Sequence, residues 1–179
     1  EEGWTVLHAI VDCVWIHRDD VSRQEKRKLA ERFSKRVSQE IGIPLEYEDL
    51  YHFIGFLPSR THGAGSLTKY WAYGEKGLKI RGIESRQHST CNWIKNLQSM
   101  ALQILVDCVK DGIDVRNKHV QNVICHLLHD ELIKLNRNQI CLTDLVVTRR
   151  VSKTIEQFTV STLTQSALLR ANALGHDIP

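Results

Sequence analysis

A change in the spacing of hydrophobic residues near residue 89 divides the chain into two unlike parts. Before this point, short extended runs are interrupted by glycine and proline, which is typical of strands and turns. After it, apolar residues recur every three or four positions from Trp93 to Cys108 and again from Val120 to Leu132, which predicts two long helices. The chain is therefore expected to have an α+β fold, with its strands concentrated in the first part.

The first part is predicted to contain a β-hairpin, one helix and further strands. Residues 4–18 have the pattern of a hairpin, and apolar residues at every fourth position predict a helix over residues 22–41 that packs on a sheet. Residues 45–57 are expected to form a strand pair or one bent strand. Residues 69–73 and 78–83 are expected to pair across a glycine-containing turn. The predicted architecture is an antiparallel sheet with a packed helix.

The second part is predicted to be a mostly helical lobe. Its boundary with the first part lies near residue 88, so we expect one domain over residues 1–88 and another over residues 89–179. The predicted elements are an antiparallel helix pair over residues 89–112 and 115–135, an extended stretch over residues 140–149, and a last helix over residues 161–174.

Composition argues against several classes of protein. The apolar runs are far shorter than the ~20 residues that span a bilayer, so no membrane segment is expected. The first residues lack a secretory leader, and the chain looks cut from a longer one. Five cysteines without a Cys-x-x-Cys pair argue against a disulfide framework and favour the reducing cytoplasm. Cys125, His126 and His129 could be metal ligands, but their helical spacing favours ordinary helix residues.

The positive charges are unevenly distributed, although the net charge of +3 is too small to indicate a nucleic-acid partner by itself. Residues 18–36 carry a basic run mixed with acids, for which a solvated helix face is the favoured interpretation. A second basic set lies on predicted strands beside Tyr70, Trp71 and Tyr73, and this mixture suits a phosphate backbone. Its members are Arg60, Lys69, Lys76, Lys79, Arg81 and Arg86.

Four motifs, in the family's order and covering nearly the whole chain, resemble those of family B DNA polymerases. Residues 8–13 (HAIVDC) lie at the tip of the first hairpin and are similar to the palm signature YGDTDS. Residues 66–70 (SLTKY) occupy the place of the primer-contact strand KKRY. Residues 79–84 (KIRGIE) resemble the strand that leads from palm to thumb, and residues 142–158 resemble the thumb pattern. With its altered motifs and the insertion at residues 58–65, the chain is most like an archaeal group of the family.

The resemblance implies a fragment of a longer enzyme, namely the second half of a polymerase palm followed by the thumb. A complete member of the family adds an exonuclease domain, a first acidic palm motif and a nucleotide-binding fingers helix. It transfers a nucleotide from a deoxynucleoside triphosphate to a primer 3′ end with two Mg²⁺ ions. The expected partners are therefore primer–template DNA, the triphosphate and the missing domains. The chain on its own is expected to be inactive, because it cannot position the reaction.

In the family signature, two acidic residues two positions apart lie on one face of an extended segment and hold the metal ions. The matching positions here are Ile10 and Asp12, so Asp12 is the implied catalytic and Mg²⁺-binding residue, and Ile10 replaces the other ligand. Without the resemblance, a turn-forming aspartate would be the simpler interpretation of Asp12.

The resemblance also implies a set of DNA contacts. Lys69 and Tyr70 match the primer-contact strand and are the best candidates. Arg86 stands one place early relative to the family's thumb strand. Ordinary exposed cations on strands are the alternative interpretation of the whole set. The further candidates are Arg60, Arg81, Arg86 and Lys153.

Three functions are compatible with these features. The first is a polymerase that is active when joined to the missing palm and fingers, and it depends on Asp12 and the primer-contact strand. The second is a noncatalytic DNA-binding or regulatory remnant, and it depends on Ile10. The third is a protein-interaction module built on the helical lobe, for which Leu127, Leu128 and Leu132 would be exposed rather than buried.

Overall fold

The fold comes from a computed structural model that describes residues 3–59, 61, 63–148 and 151–176. Within these residues the chain forms two small antiparallel sheets and five α-helices, which confirms the α+β class. The strands are β1 (Thr5–Ile10), β2 (Cys13–His17), β3 (Tyr51–Pro58), β4 (Gly65–Gly74) and β5 (Gly77–Arg81). The α-helices are α1 (Arg23–Ile41), α2 (Asn92–Lys110), α3 (Lys118–Asn136), α4 (Leu142–Leu145) and α5 (Leu163–Ala173). Single 3₁₀ turns are found at Glu84–Arg86 and Ile155–Gln157.

Local sequence signals explain where α1 begins and ends. Ser22 and Glu25 form a capping box, in which the Ser22 hydroxyl accepts from the Glu25 amide and the Glu25 carboxylate accepts from the Ser22 amide at 3.0 Å. At the other end, Gly42 has φ 68°, a backbone conformation that glycine adopts without steric cost. The predicted helix over residues 22–41 is confirmed to within one residue.

One predicted extended segment is wrong, and another is confirmed only over β3. Residues 140–149 were expected to be extended, but the chain forms the short helix α4, where the Asp144 amide donates to the Cys141 carbonyl at 2.9 Å. None of the described strands pairs with this segment, so its backbone amides and carbonyls form hydrogen bonds within a local turn. Residues 45–50 also lie outside β3, because the Ser38 hydroxyl of α1 holds both the amide and the carbonyl of Leu45, at 2.7 and 3.2 Å.

The strands form two separate sheets, where the sequence predicted one. The hairpin β1–β2 is a sheet of its own, and β3, β4 and β5 form a three-stranded sheet in that order. Alternate side chains of β4 point to opposite faces of this sheet. Tyr70 and Ala72 form a buried cluster with Trp15 of the hairpin, whereas Trp71 forms a second cluster with Ile83 and α2. The result is a layered structure of hairpin, sheet and helix.

The helix that covers the sheet is α2 rather than α1. Leu102 and Val106 of α2 pack with Trp71 and Ile83, so this cluster joins residues on both sides of position 88. In contrast, the predicted apolar stripe of α1 belongs to neither buried cluster, and Ser34 is the buried residue of that helix. The prediction that α1 packs its stripe on the sheet is therefore wrong, because α2 occupies one face and the hairpin the other.

The predicted helix pair is confirmed. Trp93, near the start of α2, donates from Nε1 to the Glu131 carboxylate near the end of α3 at 3.1 Å, so the two helices run antiparallel. Lys134 and Trp93 both donate to Glu131 and lower the pKa of its carboxyl. Leu128 and Leu132 are 40% and 51% exposed on the outer side of α3. Within the described ranges, no helix is long and apolar enough to cross a membrane.

Two leucines of very different exposure test this description of the core. Leu102 is 7% exposed and Leu163 is 92% exposed. We expect Leu102→Ala to lower the free energy of unfolding by about 2–5 kcal/mol, because it leaves a cavity between the sheet and α2. Leu163→Ala should change it by less than about 0.5 kcal/mol. Urea unfolding followed by circular dichroism measures both, and equal effects would contradict the assigned core.

Candidate nucleic-acid interface

Asp12 lies at the exposed turn of the β1–β2 hairpin. Ile10 pairs with Cys13, so Val11 and Asp12 form a two-residue turn. Val11 has φ 46°, a conformation that is unfavourable for a β-branched residue, and its side chain is fully exposed. This tight turn presents the Asp12 carboxylate to solvent, at the end of the hairpin.

The turn does not by itself provide a two-metal site. The position two residues before Asp12 is Ile10, whose side chain has no metal-binding atom. Across the described part of the chain, no group of three or more His, Cys, Asp and Glu side chains could hold a metal ion. Asp12 is therefore a single carboxylate, and the residues present do not fit a pair of Mg²⁺ ions, which needs several oxygen ligands.

A cluster of rings fixes the hairpin on the three-stranded sheet. His8 is 3% exposed, and its ring lies 5.2 Å from that of Phe56. The Trp15 ring centre lies 4.3 Å from that of Tyr51, with the rings tilted by 31°, and 5.5 Å from that of Tyr70 in an edge-on arrangement. Tyr70 was predicted to contact DNA, but its side chain is 4% exposed and belongs to this cluster. Its DNA contact stays a prediction, while its packing role is evident.

An open groove of about 570 Å³ runs along β5, which is an edge strand of the sheet. It is lined by residues 76–82, by Glu48, Asp49 and Tyr51, and by Arg86. The lining includes four cationic side chains and two carboxylates. The groove therefore carries an excess of positive charge.

Two exposed arginines lie at the end of the groove. Arg81 and Arg86 are exposed, and among the described residues neither guanidinium makes a hydrogen bond or an ion pair. Gly82 lies between them in the sequence with φ 64°, and a Cβ there would stand 2.1 Å from the Thr68 carbonyl oxygen. Glycine is thus required for the turn that ends β5 and brings Arg86 to the groove.

Lys79, by contrast, is held tightly inside the groove. Its Nζ donates to a Glu48 carboxylate oxygen at 2.5 Å and lies 5.3 and 5.8 Å from the ring centres of Trp15 and Tyr51. The hydrogen bond from Lys79 lowers the pKa of the Glu48 carboxyl. Burial, followed by the Glu48 charge, raises the pKa of Tyr51 to about 12.

Two further predicted DNA residues, Lys69 and Lys153, do not line the groove. Lys69 is on the opposite face of β4 from Tyr70, and its Nζ is 3.6 Å from the Glu84 carboxylate. Lys153 is exposed, with its Nζ 6.0 Å from the ring centre of Phe158. Arg60 lies outside the described residues. The structure thus brings Arg81 and Arg86 together, and it separates Lys69 from them.

The comparison with known proteins now identifies the family. The sequence model of DNA polymerase family B matches residues 10–173, which include Asp12, the whole groove and Lys153. The chain therefore belongs to the B family of DNA polymerases. No curated protein matches it.

Sequence reasoning missed the acidic side of the groove. Lys76 and Lys79 were recognised as part of a basic set, but they were not chosen as site residues. Glu48 and Asp49 were not among the predicted site residues. The two-residue period along β5 places Lys79 on the same face as Arg81, and this signal could have linked them. Nothing local in the sequence indicates that Glu48 meets Lys79, because 31 positions separate them.

The pH dependence of Tyr51 tests the geometry of the groove. The unfolded chain ionises a tyrosine near pH 10, whereas folded Tyr51 has a pKa of about 12. The protonated form is thus favoured by folding, and stability from Tyr51 is present below pH 10 and lost as the pH rises towards 12. The pKa values of Tyr47 and Tyr70 are raised as well, so ultraviolet titration of tyrosinate should show one late-ionising phenol fewer in folded Tyr51→Phe than in the folded wild type. In denaturant no late-ionising phenol should remain. Identical titration of the folded wild type and Tyr51→Phe would contradict the packing of Tyr51.

Proposed function

We propose that the chain is the DNA-contacting palm-and-thumb part of a family B DNA polymerase, in which the β5 groove follows the phosphate backbone of primer–template DNA. The palm part corresponds to residues 1–88 and the thumb to residues 89–179. The observation that carries this proposal is the pair of exposed arginines, Arg81 and Arg86, which make no hydrogen bond or ion pair with the described residues and lie beside two further cations in one groove. A cytoplasmic location fits the five free cysteines.

The charge of the groove supports a polyanionic ligand. Arginines bind phosphate oxygens through several N–H groups in a fixed plane, and unpaired guanidinium groups lose no existing partner when they do so. An extended strand also presents Arg81 and neighbouring amides along a line, which suits a regular row of phosphates. Lys69 and Lys153 are proposed as additional contacts at other surfaces. Tyr70 contributes indirectly, by holding the hairpin on the sheet.

Catalysis is proposed only for a polymerase in which other segments complete the site. There, Asp12 would supply one carboxylate for Mg²⁺, and binding of the deoxynucleoside triphosphate would belong to the fingers. Ile10 at the adjacent ligand position favours the alternative, a noncatalytic DNA-binding or regulatory member of the family, most like the archaeal group with degraded motifs. The groove arginines and Asp12 lie on different elements of the fold. The groove could therefore bind DNA whether or not Asp12 takes part in catalysis, so both functions include DNA binding.

Replacement of the two unpaired arginines tests the DNA-binding proposal. We expect Arg81→Ala/Arg86→Ala to weaken binding of the chain to a fluorescent primer–template duplex. The dependence of log K on log salt should become shallower by about 1.8, because each lost phosphate contact removes roughly 0.9 from the slope. Anisotropy titrations at several salt concentrations measure both quantities.

The matched control is Arg32→Ala/Lys35→Ala, which removes the same charge from the exposed face of α1. These residues belong to the basic run that was interpreted as a solvated helix face. We expect this variant to keep the wild-type salt slope. Equal losses in the two double variants would mean that net charge, rather than the groove, controls binding.

Primer extension tests the catalytic proposal. The chain alone should extend no primer with Mg²⁺ or Mn²⁺, because it offers one carboxylate where a pair of metal ions needs several. In a polypeptide that joins the chain to the remaining polymerase domains, Asp12→Ala should abolish any extension. Nucleotide incorporation by the chain alone would overturn the first expectation, and extension that survives Asp12→Ala would overturn the role of Asp12.

A further inference from the structure

The groove along β5 contains a negatively charged side chain of the protein itself, the carboxylate of Glu48. The Glu48 carboxylate accepts a hydrogen bond from Lys79 at 2.5 Å and another from the Tyr51 hydroxyl at 3.4 Å. Arg81 adds to the positive field at the same carboxylate and helps to lower its pKa. A carboxylate in this position makes the contacts that a phosphate oxygen would make with Lys79 and Arg81.

The two partners of this ion pair are held very differently. The Lys79 side chain is 19% exposed, and the rings of Trp15 and Tyr51 fix its ammonium group in place. The Glu48 side chain is 56% exposed and precedes the first strand of the sheet, outside any helix or strand. Glu48 can therefore turn away into solvent while Lys79 stays at its position, and an ion pair with an exposed partner is weak enough to be exchanged.

We infer that Glu48 is an internal substitute for a DNA phosphate. In the free protein Glu48 neutralises Lys79, and when a duplex binds, Glu48 releases Lys79, which then contacts the phosphate backbone. This inference rests on the proposed function, since it requires that DNA enters the β5 groove. Arg81 and Arg86 make the first contacts, because they are unpaired. Exchange at Lys79 then follows, so a ligand with too few phosphates to engage both arginines does not displace Glu48.

The exchange has a consequence for the salt dependence. When Lys79 passes from Glu48 to a phosphate, the duplex releases a counterion, but the freed carboxylate becomes a negative charge beside the phosphates, and its screening by salt offsets that release. Lys79 therefore adds little to the salt slope of the wild-type protein. Without the Glu48 charge, Lys79 becomes a full phosphate contact, with its own released counterion.

The experiment compares Glu48→Gln with Glu46→Gln in duplex-binding titrations. Glutamine keeps the size of Glu48 and an acceptor oxygen for Lys79, and urea unfolding checks that each variant folds. Glu48→Gln should bind the duplex roughly five- to tenfold more tightly near 0.1 M salt, with a slope steeper by about 0.9. Glu46, an exposed neighbour that does not line the groove, carries the same charge, and Glu46→Gln should change affinity by less than about twofold because solvent screens it.

Lys79→Met provides the second readout, since it keeps the apolar stem against Trp15 and Tyr51 but removes the charge. It should change duplex affinity by less than about twofold in the wild type, yet it should cancel the whole gain in the Glu48→Gln background. If Glu48→Gln binds like Glu46→Gln with the wild-type slope, the substitute role of Glu48 is wrong, even where Arg81→Ala/Arg86→Ala still loses binding. If that double arginine variant binds like the wild type, the groove is not the DNA site and both proposals fall.

Discussion

The packing of β4 on both of its faces is the constraint on which the rest of the structure depends. Tyr70 and Ala72 meet the hairpin through Trp15, and Trp71 meets α2 through Leu102 and Val106. Because alternate side chains of one strand serve both layers, a shift of register by one residue would exchange the two faces and lose both contacts. This single strand therefore sets where the Asp12 turn and the β5 groove lie relative to the core.

The groove follows from that packing in a direct way. β5 pairs with β4 opposite Tyr70 and Ala72, which puts Arg81 and Lys79 on the hairpin side of the sheet. The aromatic rings that anchor the hairpin also surround the Lys79 ammonium group, so one cluster of side chains stabilises the fold and positions a cation. The groove is built by residues of the sheet and of the segment before it, whereas Asp12 lies at the turn of the β1–β2 hairpin. The proposed DNA-binding surface and the proposed metal-binding carboxylate can therefore be tested separately.

Particular residues show which features of the fold and of the candidate site local sequence patterns could predict. The capping box at Ser22, the apolar repeats of α2 and α3, and the period of β5 are local signals, and the elements they predict are present. Arg81 and Arg86 were predicted to contact DNA from their basic surroundings and from the family resemblance, and that role stays a prediction. Tyr70 was chosen for DNA contact by its place in a motif, but period-two alternation on a two-sided strand makes it a core residue. The stripe of α1 was expected on the sheet, but periodicity reveals an apolar face without revealing which surface covers it.

The sequence by itself determined the α+β class, most helix and strand limits and membership of family B. These depend on short-range spacing, capping and motif order, which are written along the chain. The tertiary structure alone decided that the strands form two stacked sheets, that α2 rather than α1 covers them, and that Glu48 neutralises Lys79. These contacts join residues far apart in sequence. Each face of a sheet can be covered by only one layer, and several apolar surfaces of the chain could supply that layer, so local patterns do not reveal which one does.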